Sequence, residues 1–322
     1  MFVKNFKVPI ILQKAEALEK RIPPNHPRIS DLKSFIKNLR SGYNGERKIN
    51  YYLNQIPPQR FYIFHDLRLQ YGENAYFQID ALLLCSRGIF MLDGKNHSGK
   101  LTIEPNQMIQ DYDGKRVIYE NPISQANRHN LLLTYFLERY KIPFVPIESL
   151  VVICRSSTEL VISPGYTEAA KKVCRLSDLL KKLDGLYHRY NRELVDNKTL
   201  EKIKKLLLKK HTPLNTDLYE KFKISKTEVV TGVQCPKCLS FSMDYHRKNW
   251  QCPTCKFVSQ DAYLNAVKDY FLLGNSSFTN MELRSFLHVP SSRATTYTIS
   301  LLNFPYTGST KDRIYHPPKD FL

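Results

Sequence analysis

Four cysteines in the last third of the chain restrict its local fold more than any other feature of the sequence. They form two Cys-x-x-Cys pairs, Cys235-Pro236-Lys237-Cys238 and Cys252-Pro253-Thr254-Cys255. Two such pairs at this separation can bring four thiolates to one tetrahedral Zn²⁺, with the intervening residues forming a hairpin. Four thiolates leave no open coordination position, so we expect a structural zinc that stabilises a module too small for a large core.

The quartet resembles a zinc ribbon, a module that often contacts nucleic acid. The basic residues near it that we expect to bind nucleic acid are Lys237, Arg247, Lys248 and Lys256. Tyr245 and Trp250 are expected to add aromatic surface on which bases could stack. A protein partner is the alternative for this ribbon. The remaining cysteines, Cys85, Cys154 and Cys174, fall in apolar patterns and are expected to be buried thiols.

The net charge of the chain is +18, and the positive charge is concentrated locally. Residues 171–210 hold 13 Lys plus Arg and 5 Asp plus Glu, a local excess of 13 − 5 = +8, whereas residues 41–130 are nearly balanced. This distribution favours a polyanion as partner, with carboxylates elsewhere available for a divalent metal. The alternative is that Glu201–Lys210 is the solvated face of an amphipathic helix, with Ile203, Leu206 and Leu207 inward.

The apolar fraction of 42% is sufficient for packed cores and argues against a disordered chain. No apolar run approaches the ~20 residues that a membrane span needs. An odd number of cysteines with two metal-type pairs suits a reducing compartment better than a disulfide framework. We therefore expect a cytoplasmic protein that is not embedded in a membrane.

The hydrophobic period alternates between helical and strand-like over the first two thirds of the chain. Strands are expected at Tyr62–Leu69, Ala75–Cys85, Gly88–Lys95, Lys100–Ile103 and Val145–Ile153. Helices are expected at 11–21, from Ser30 to Leu39, at 45–54, 123–139, 176–187 and 199–210, with Gly42 and Gly45 separating the second from the third. Helix, three antiparallel strands, helix and strand indicate a mixed α/β module over about residues 41–190.

Two carboxylates and a lysine are expected to meet at the end of the central hairpin. Side chains alternate along a strand, so Asp93 and Lys95 point to one face. Folding back at Ser86-Arg87-Gly88 brings Asp80 beside them, because it lies about as far before the turn as Asp93 lies after it. Carboxylates with water and phosphate oxygens can hold Mg²⁺, and a nearby lysine can stabilise charge on a phosphoryl group. This pattern is typical of phosphodiester hydrolysis.

A longer series of motifs surrounds these residues. In chain order the motifs are Gly45-Glu46, His65-Asp66-Leu67, Phe77-Gln78-Ile79-Asp80, Gly88-Ile89-Phe90, Asp93-Gly94-Lys95-Asn96, Gly99 and Asn121-Pro122-x-x-Gln125. Together they resemble the nuclease-related domain, NERD, a family placed in the PD-(D/E)xK nuclease superfamily. The resemblance covers roughly residues 41–150 and implies a restriction-endonuclease-like mixed sheet flanked by helices.

The resemblance also implies a role for each matching polar residue. Asp80 and Asp93 would be ligands of a catalytic Mg²⁺ or Mn²⁺, and Lys95 would be the catalytic lysine. Glu46 would be the acid carried by the preceding helix, and Gln125 the polar residue of the following helix. The chain departs from the family at Asp93, where the family usually has Glu, and at the following glycine, where an apolar residue is common.

The C-terminal segment has three helical patterns, at Ala262–Leu272, Asn280–Leu287 and from Ser291 or Ser292 to Leu302. Their spacing resembles a helix-turn-helix, with Tyr306–Tyr315 as a wing. Arg293, with Ser292, Thr295, Thr296 and Tyr297, would then lie on the helix that reads nucleic acid. The alternative is a small helical unit for packing or dimerisation, since the segment has little net charge.

These patterns predict a helical extension (1–40), a NERD-like nuclease core (41–190), a basic helical connector (191–227), a zinc ribbon (228–260) and a helix-turn-helix-like module (261–322). The expected activity is metal-dependent hydrolysis of nucleic acid, with DNA preferred. The alternative is a non-catalytic DNA- or RNA-binding adaptor that keeps the nuclease fold. A protein partner could bind the zinc ribbon or the C-terminal module.

Overall fold

The computed structural model describes residues 1–321, apart from the side chain of residue 311. The helices are α1 (Ile10–Arg21), α2 (Ile29–Leu53), α3 (Pro122–Arg139), α4 (Thr167–Lys172), α5 (Leu179–Arg189), α6 (Asn197–Lys210), α7 (Leu218–Phe222), α8 (Tyr263–Leu272), α9 (Asn280–Leu287) and α10 (Ser292–Leu302). The strands are β1 (Phe2–Lys4), β2 (Tyr62–Gly72), β3 (Ala75–Cys85), β4 (Gly88–Lys95), β5 (Lys100–Ile103), β6 (Gln107–Tyr112), β7 (Lys115–Glu120), β8 (Ile147–Ile153), β9 (Glu159–Ile162), β10 (Val173–Arg175), β11 (Asp244–His246), β12 (Asn249–Gln251), β13 (Val258–Ser259), β14 (Phe278–Thr279), β15 (Tyr306–Thr307) and β16 (Ile314–Tyr315).

The chain forms two compact units. The first unit contains residues 1–8 and 38–214, and the second contains residues 9–37 and the residues from 215 onward. Much of the predicted N-terminal extension therefore lies in the same unit as the zinc-ribbon segment, which no local pattern indicated. The predicted five-part division remains a prediction.

The first unit is built on a mixed sheet with strand order β1-β2-β3-β4-β8-β10. Strands β2, β3 and β4 are antiparallel, and α3 crosses over so that β8 runs parallel to β4. Because side chains alternate along β3, Leu82 and Leu84 pack with α3 and α6, whereas Leu83 and Cys85 pack on the opposite face with α2 and α5. Helices on both faces explain why these strands are apolar throughout. The predicted mixed α/β fold is confirmed.

A smaller sheet with order β7-β6-β5-β9 lies in the same unit. Only β5 was predicted from the sequence. The β6–β7 hairpin turns at Asp113-Gly114, where both residues have positive φ (53° and 68°). Asp-Gly is a strong signal for this kind of tight hairpin turn, so this hairpin could have been found from the sequence.

One expectation about the N-terminal helices is wrong, and one strand there was not predicted. Gly42 and Gly45 do not separate two helices, because both lie inside the continuous helix α2. A β-carbon at Gly45 would lie 2.9 Å from Asn96 Cβ, so a glycine here permits close packing of the helix on the end of β4. Strand β1, which was not predicted, pairs in parallel with β2.

The second unit combines a small three-stranded sheet, β11-β12-β13, with helices and a second sheet of order β14-β16-β15. The predicted helices of the C-terminal segment are present, and Thr279 caps α9 with a reciprocal bond from Glu282. Trp250 of the ribbon packs in one core with Val267 of α8, Leu283 of α9 and Ile299 of α10. The ribbon and the C-terminal helices therefore share a single hydrophobic core.

Helix α1 is attached to this unit by a buried ion pair. Arg21 Nε donates to Asp269 Oδ2 on α8 at 2.9 Å, and both side chains are almost fully buried. The same guanidinium lies 4.8 Å from the ring centres of Phe241 and Phe286. Within the described residues, no helix is both long and apolar enough to cross a bilayer.

Candidate functional site

The pairing of β3 with β4 fixes the positions of the two predicted aspartates. Ala81 lies opposite Leu92, and continuing that register by one residue sets Asp80 opposite Asp93. Residues opposite each other in an antiparallel pair point to the same face. Both aspartates line one small pocket, together with Gln78, Met91, His129 and Ser149 among others. The structure thus brings Asp80 and Asp93 together at the end of the hairpin.

Lys95 is held between a strand and a helix. Its Nζ donates to Asp93 Oδ1 at 3.0 Å and to Gln125 Oε1 at 2.8 Å, and it lies 2.7 Å from Asp93 Oδ2. Gln125 is in the first turn of α3, which begins where the Asn121 side chain accepts bonds from the Ile123 and Ser124 amides. The cap therefore sets the position of the glutamine that orients the lysine.

Asp80 and Glu46 are carboxylates in an environment with too little positive charge. Burial, followed by the charge of Asp93, raises the pKa of Asp80 to about 7, although the Gly94 amide donates to its Oδ2 at 2.8 Å. Burial, followed by repulsion from Asp80 and Asp66, raises the pKa of Glu46 on α2 to about 8. The charged forms of both groups are therefore disfavoured, and a nearby cation would lower their pKa values.

Three residues near this site were given no role from the sequence. Lys4 on β1 donates from Nζ to the backbone oxygens of His65 and Asp66, at 2.7 and 2.9 Å. Asp66 has a positive φ of 50°, and burial raises the pKa of its carboxyl group. His129 lies one helical turn after Gln125 and lines the aspartate pocket. Asp66 belongs to the His65-Asp66-Leu67 motif, so the sequence did contain a pattern that could have indicated it. Lys4 lies on β1, and a strand of three residues is too short for its pattern to be detected.

Gly94 has a packing reason in this structure. A β-carbon at this position would lie 2.9 Å from Ile49 Cδ1 on α2 and 3.5 Å from Asp80 Oδ2. A β-carbon here would therefore require the end of the Ile49 side chain to shift, whereas its distance from Asp80 is an ordinary contact. The departure from the family pattern at Gly94 accompanies a close approach of α2 to the strand end.

The oxygen donors at the strand ends suit a hard divalent cation. Mg²⁺ is commonly bound by one or two carboxylates, with water and phosphate oxygens completing its shell, and Asp80 with Asp93 supplies two carboxylates. Asp93 Oδ2 is buried and accepts no hydrogen bond of good geometry from the described residues. Within residues 1–321, these carboxylates do not belong to a cluster of three or more His, Cys, Asp or Glu ligand atoms.

The cysteine quartet has the geometry of a closed metal site. The sulfur atoms of Cys235, Cys238, Cys252 and Cys255 all lie within 4.8 Å of one another. The Cys235–Cys255 and Cys238–Cys252 sulfur distances are 3.6 and 3.5 Å, close to the ~3.8 Å that tetrahedral Zn–S bonds impose. Backbone bonds from Leu239 to Cys235 and from Lys256 to Cys252 form two matching turns around the sulfurs. The cluster is consistent with the predicted zinc ribbon.

The four basic residues predicted on the ribbon are all exposed. Arg247 and Lys248 form the tip of the β11–β12 hairpin, whereas Lys237 and Lys256 lie in the two cysteine turns. One expectation is wrong: Trp250 is 1% exposed, so it is part of the core and has no face available for stacking on bases. Tyr245 is half-buried against the Trp250 ring.

Helix α10 exposes one polar face. Arg293 and Thr296 are exposed, whereas Thr295 is fully buried and so cannot take part in the predicted reading surface. Lys248 Nζ lies 4.7 Å from the ring centre of Tyr297, which sets the tip of the ribbon hairpin beside α10. Strands β15 and β16 follow α10 in the position expected for a wing. Arg293 and the basic hairpin tip therefore belong to neighbouring surfaces of the second unit.

Comparison with known proteins agrees with the resemblance inferred from the motifs. Residues 41–154 match the family described as the nuclease-related domain, NERD, which confirms the resemblance for that part of the chain. An uncharacterized protein of Bacillus anthracis is 24% identical over 102 residues, which are 30% of this chain and 47% of that protein. The chain thus spans about half the length of this relative. No solved structure matches the chain.

Proposed function

We propose that the first unit hydrolyses phosphodiester bonds in nucleic acid, with DNA as the preferred substrate. The observation that carries this proposal is the position of Lys95, which bonds both Asp93 and Gln125 beside a pocket that Asp80 also lines. This arrangement lies within the segment that matches the nuclease-related domain. Carboxylates and a fixed ammonium group beside a small pocket are components that phosphodiester hydrolysis can use.

Each residue has a distinct role in the proposal. Asp80 and Asp93 would hold Mg²⁺ or Mn²⁺, which supplies positive charge against the scissile phosphate and lowers the pKa of an attacking water. Lys95 presents a second positive charge, and Gln125 with Asp93 keeps its ammonium group in place. Asp80 lies close enough to Glu46 for its charge to raise the pKa of Glu46. Glu46 would therefore influence the charge of the pair formed by Asp80 and Asp93.

The test compares the parent protein with Lys95→Ala on plasmid and linear DNA and on RNA, in Mg²⁺ or Mn²⁺. Loss of the fixed charge is expected to reduce cleavage by about 10²–10³-fold. Lys100→Ala is the matched control, because Lys100 is an exposed lysine of the same unit that pairs only with Glu159 at 3.4 Å. Equal cleavage by the parent and Lys95→Ala would remove Lys95 from the chemistry.

The second candidate is a nucleic-acid-binding adaptor that does not cleave. The ion pair between Lys95 and Asp93 favours it, because a carboxylate that is already paired has less need of a metal. Titration with Mg²⁺ and Mn²⁺ separates the two candidates. An adaptor would bind nucleic acid tightly and with a strong salt dependence, but calorimetry would detect no divalent ion at Asp80 and Asp93.

For the second unit we propose a structural zinc on the cysteine quartet and contact with nucleic acid through Lys237, Arg247, Lys248, Lys256 and Arg293. Zinc removal is expected to expose Trp250, which is the single tryptophan of the chain and packs in the shared core. Its fluorescence should therefore shift to longer wavelength when a chelator removes the ion. Cys252→Ser should lose the zinc, whereas Cys85→Ala in the first unit should retain it.

A chelator that left the Trp250 emission unchanged, or a purified protein without zinc, would contradict the structural role of the metal. Contact with nucleic acid is tested separately by Arg247→Gln with Lys248→Gln. Weaker DNA binding by this double variant is expected, with normal zinc content. Unchanged DNA binding would instead favour a protein partner for this surface.

A further inference from the structure

A cavity of about 660 Å³ lies beside the last strand of the large sheet, between β10, α4 and α5. Its floor is aliphatic and includes Leu150, Val173 and Leu186. The charged residues around it are Lys171, Arg175, Asp178, Lys181, Lys182 and Arg189. The volume is within the range of ~300–1,000 Å³ that is typical of ligand sites.

The cations of this cavity form no salt bridge in the described part of the chain. Over residues 1–321, none of the five pairs with a carboxylate, although the neighbouring Lys172 pairs with Glu168 at 3.1 Å. Arg175 and Lys182 donate only to backbone oxygens, of Thr158 and of residues 170 and 171. Five cations and one carboxylate leave a local charge of 5 − 1 = +4. Such a charge around a concave surface attracts an anion.

The sheet register places one residue of this cavity, Arg175, level with Lys95 of the candidate active site. In the parallel strands β4, β8 and β10, Lys95 pairs with Ile153, and Ile153 pairs with Arg175. Neighbouring strands are about 4.8 Å apart, so the Cα atoms of Lys95 and Arg175 are about 10 Å apart. Paired residues share a face, so Lys95 and Arg175 lie on the face of the sheet that packs against α3. Of the floor residues, Val173 lies on this face, whereas Leu150 and Leu186 pack on the α5 face, so the cavity is lined from both faces at the edge strand β10. The distance between Lys95 and Arg175 corresponds to about three nucleotides of one strand, at a rise of about 3.4 Å each.

We propose that this cavity binds single-stranded nucleic acid next to the phosphate at Lys95. Lys171, Arg175, Lys181, Lys182 and Arg189 would contact the phosphodiester backbone, and one unstacked base would lie on the aliphatic floor. A duplex keeps its bases stacked and paired, so it cannot fill a concave apolar site in this way. The proposal rests on the proposed function, in that it takes nucleic acid as the substrate of the first unit.

The test measures binding of the full chain to a fluorescent single strand of about 20 nucleotides. The binding buffer contains no added Mg²⁺ or Mn²⁺, so that no cleavage occurs while the zinc is retained, and zinc content is checked. Lys181→Gln with Arg189→Gln removes two cavity charges. Lys198→Gln with Lys209→Gln on α6 is the matched control, because it removes two exposed charges of the same unit outside the cavity.

The cavity double variant is expected to bind the single strand at least about 10-fold more weakly and to lower the slope of log affinity against log salt by about 1.4, or ~0.7 for each lost phosphate contact. The control is expected to change affinity less than about 2-fold. The parent should bind an abasic strand more weakly than the normal strand, because a base is missing from the floor. A duplex of the same sequence should be nearly insensitive to the cavity substitutions.

Equal losses in the two double variants would overturn the proposal, since they would indicate a general effect of charge. Equal binding of the abasic and normal strands would overturn it as well. So would tight binding of ATP that the cavity substitutions remove while strand binding remains, because that would identify a mononucleotide site. Because binding is measured without cleavage, an inactive protein that still shows the expected losses would refute the proposed hydrolysis and leave this inference standing.

Discussion

His211 shows how a single ring joins two distant segments of the first unit. The Arg68 amide on β2 donates to His211 Nδ1 at 3.2 Å. Burial, followed by the charge of Lys4, lowers the pKa of His211 from 6.5 to about 4. A protonated ring cannot accept this hydrogen bond, so the folded chain favours the neutral form.

The sign of the pH dependence follows from this lowered pKa. The contribution of His211 is complete above the unfolded value of 6.5 and is lost as the pH falls through about 4. Solvent screening at a half-buried site limits the loss to about 1 kcal/mol. His211→Asn retains an acceptor but does not titrate in this range. Protection of the β2 amides against hydrogen exchange should therefore decrease in acid for the parent, and decrease less for the variant. An identical acid response in both would show that His211 is not involved.

At the scale of elements, α2 depends on a glycine at one position and tolerates one at another. Gly45 faces Asn96 at a distance that excludes a β-carbon, whereas a β-carbon at Gly42 would meet nothing within 4 Å. The two glycines lie less than one turn apart in the same helix. They therefore separate the packing effect of a methyl group from its effect on helix formation.

Gly42→Ala is expected to stabilise the first unit by about 0.5–1 kcal/mol, because alanine has less backbone entropy to lose in a helix. Gly45→Ala is expected to destabilise it by about 1–3 kcal/mol through overpacking against Asn96. Urea unfolding followed by far-UV circular dichroism measures both changes. Equal changes in unfolding free energy, in the same direction for both variants, would show that the contact with Asn96 has no energetic effect.

The elements that could be predicted from sequence were those with long local patterns. The β3–β4 hairpin has apolar strands around Ser86-Arg87-Gly88, and simple counting from that turn was enough to group Asp80 with Asp93. Strands β1, β9 and β10 have three or four residues each and exist because they pair with distant strands. No local pattern encodes such pairing, so the position of Lys4 beside Asp66 could not be predicted.

The packing of α2 was also beyond local patterns. The glycines in this helix were interpreted as breaks because glycine lowers helix propensity, and tertiary packing overrides that preference here. Trp250 was assigned to the surface because aromatic residues near basic ones suit nucleic-acid binding, yet the shared core of the second unit buries it. The roles of Asp80, Asp93, Lys95, Glu46 and Gln125 stay predictions.

At the scale of the whole molecule, the second unit depends on residues from both ends of the chain. Arg21 on α1 and Asp269 on α8 are 248 residues apart and are buried together. Lys20 Nζ also lies 2.8 Å from Asp269, but its side chain is 39% exposed. The two basic neighbours therefore pair with the same carboxylate in very different environments.

Arg21→Ala is expected to destabilise the second unit by about 3 kcal/mol, because it leaves a buried carboxylate with only an exposed partner. Lys20→Ala is the matched control and is expected to cost less than about 1 kcal/mol. Trp250 fluorescence during urea unfolding of the zinc-loaded protein measures both. Similar losses of unfolding free energy in the two variants would mean that the burial of Arg21 does not strengthen its contribution to stability.

The pairing of Arg21 with Asp269 has a consequence for synthesis on the ribosome. Residues 38–214 of the first unit emerge before Asp269 exists, whereas α1 emerges early and has nothing to dock against until α8 is translated. Until α8 has been translated, the Arg21 guanidinium remains in contact with water. The first unit can thus reach its final form during elongation, whereas the second unit can be completed only after α8 has been translated.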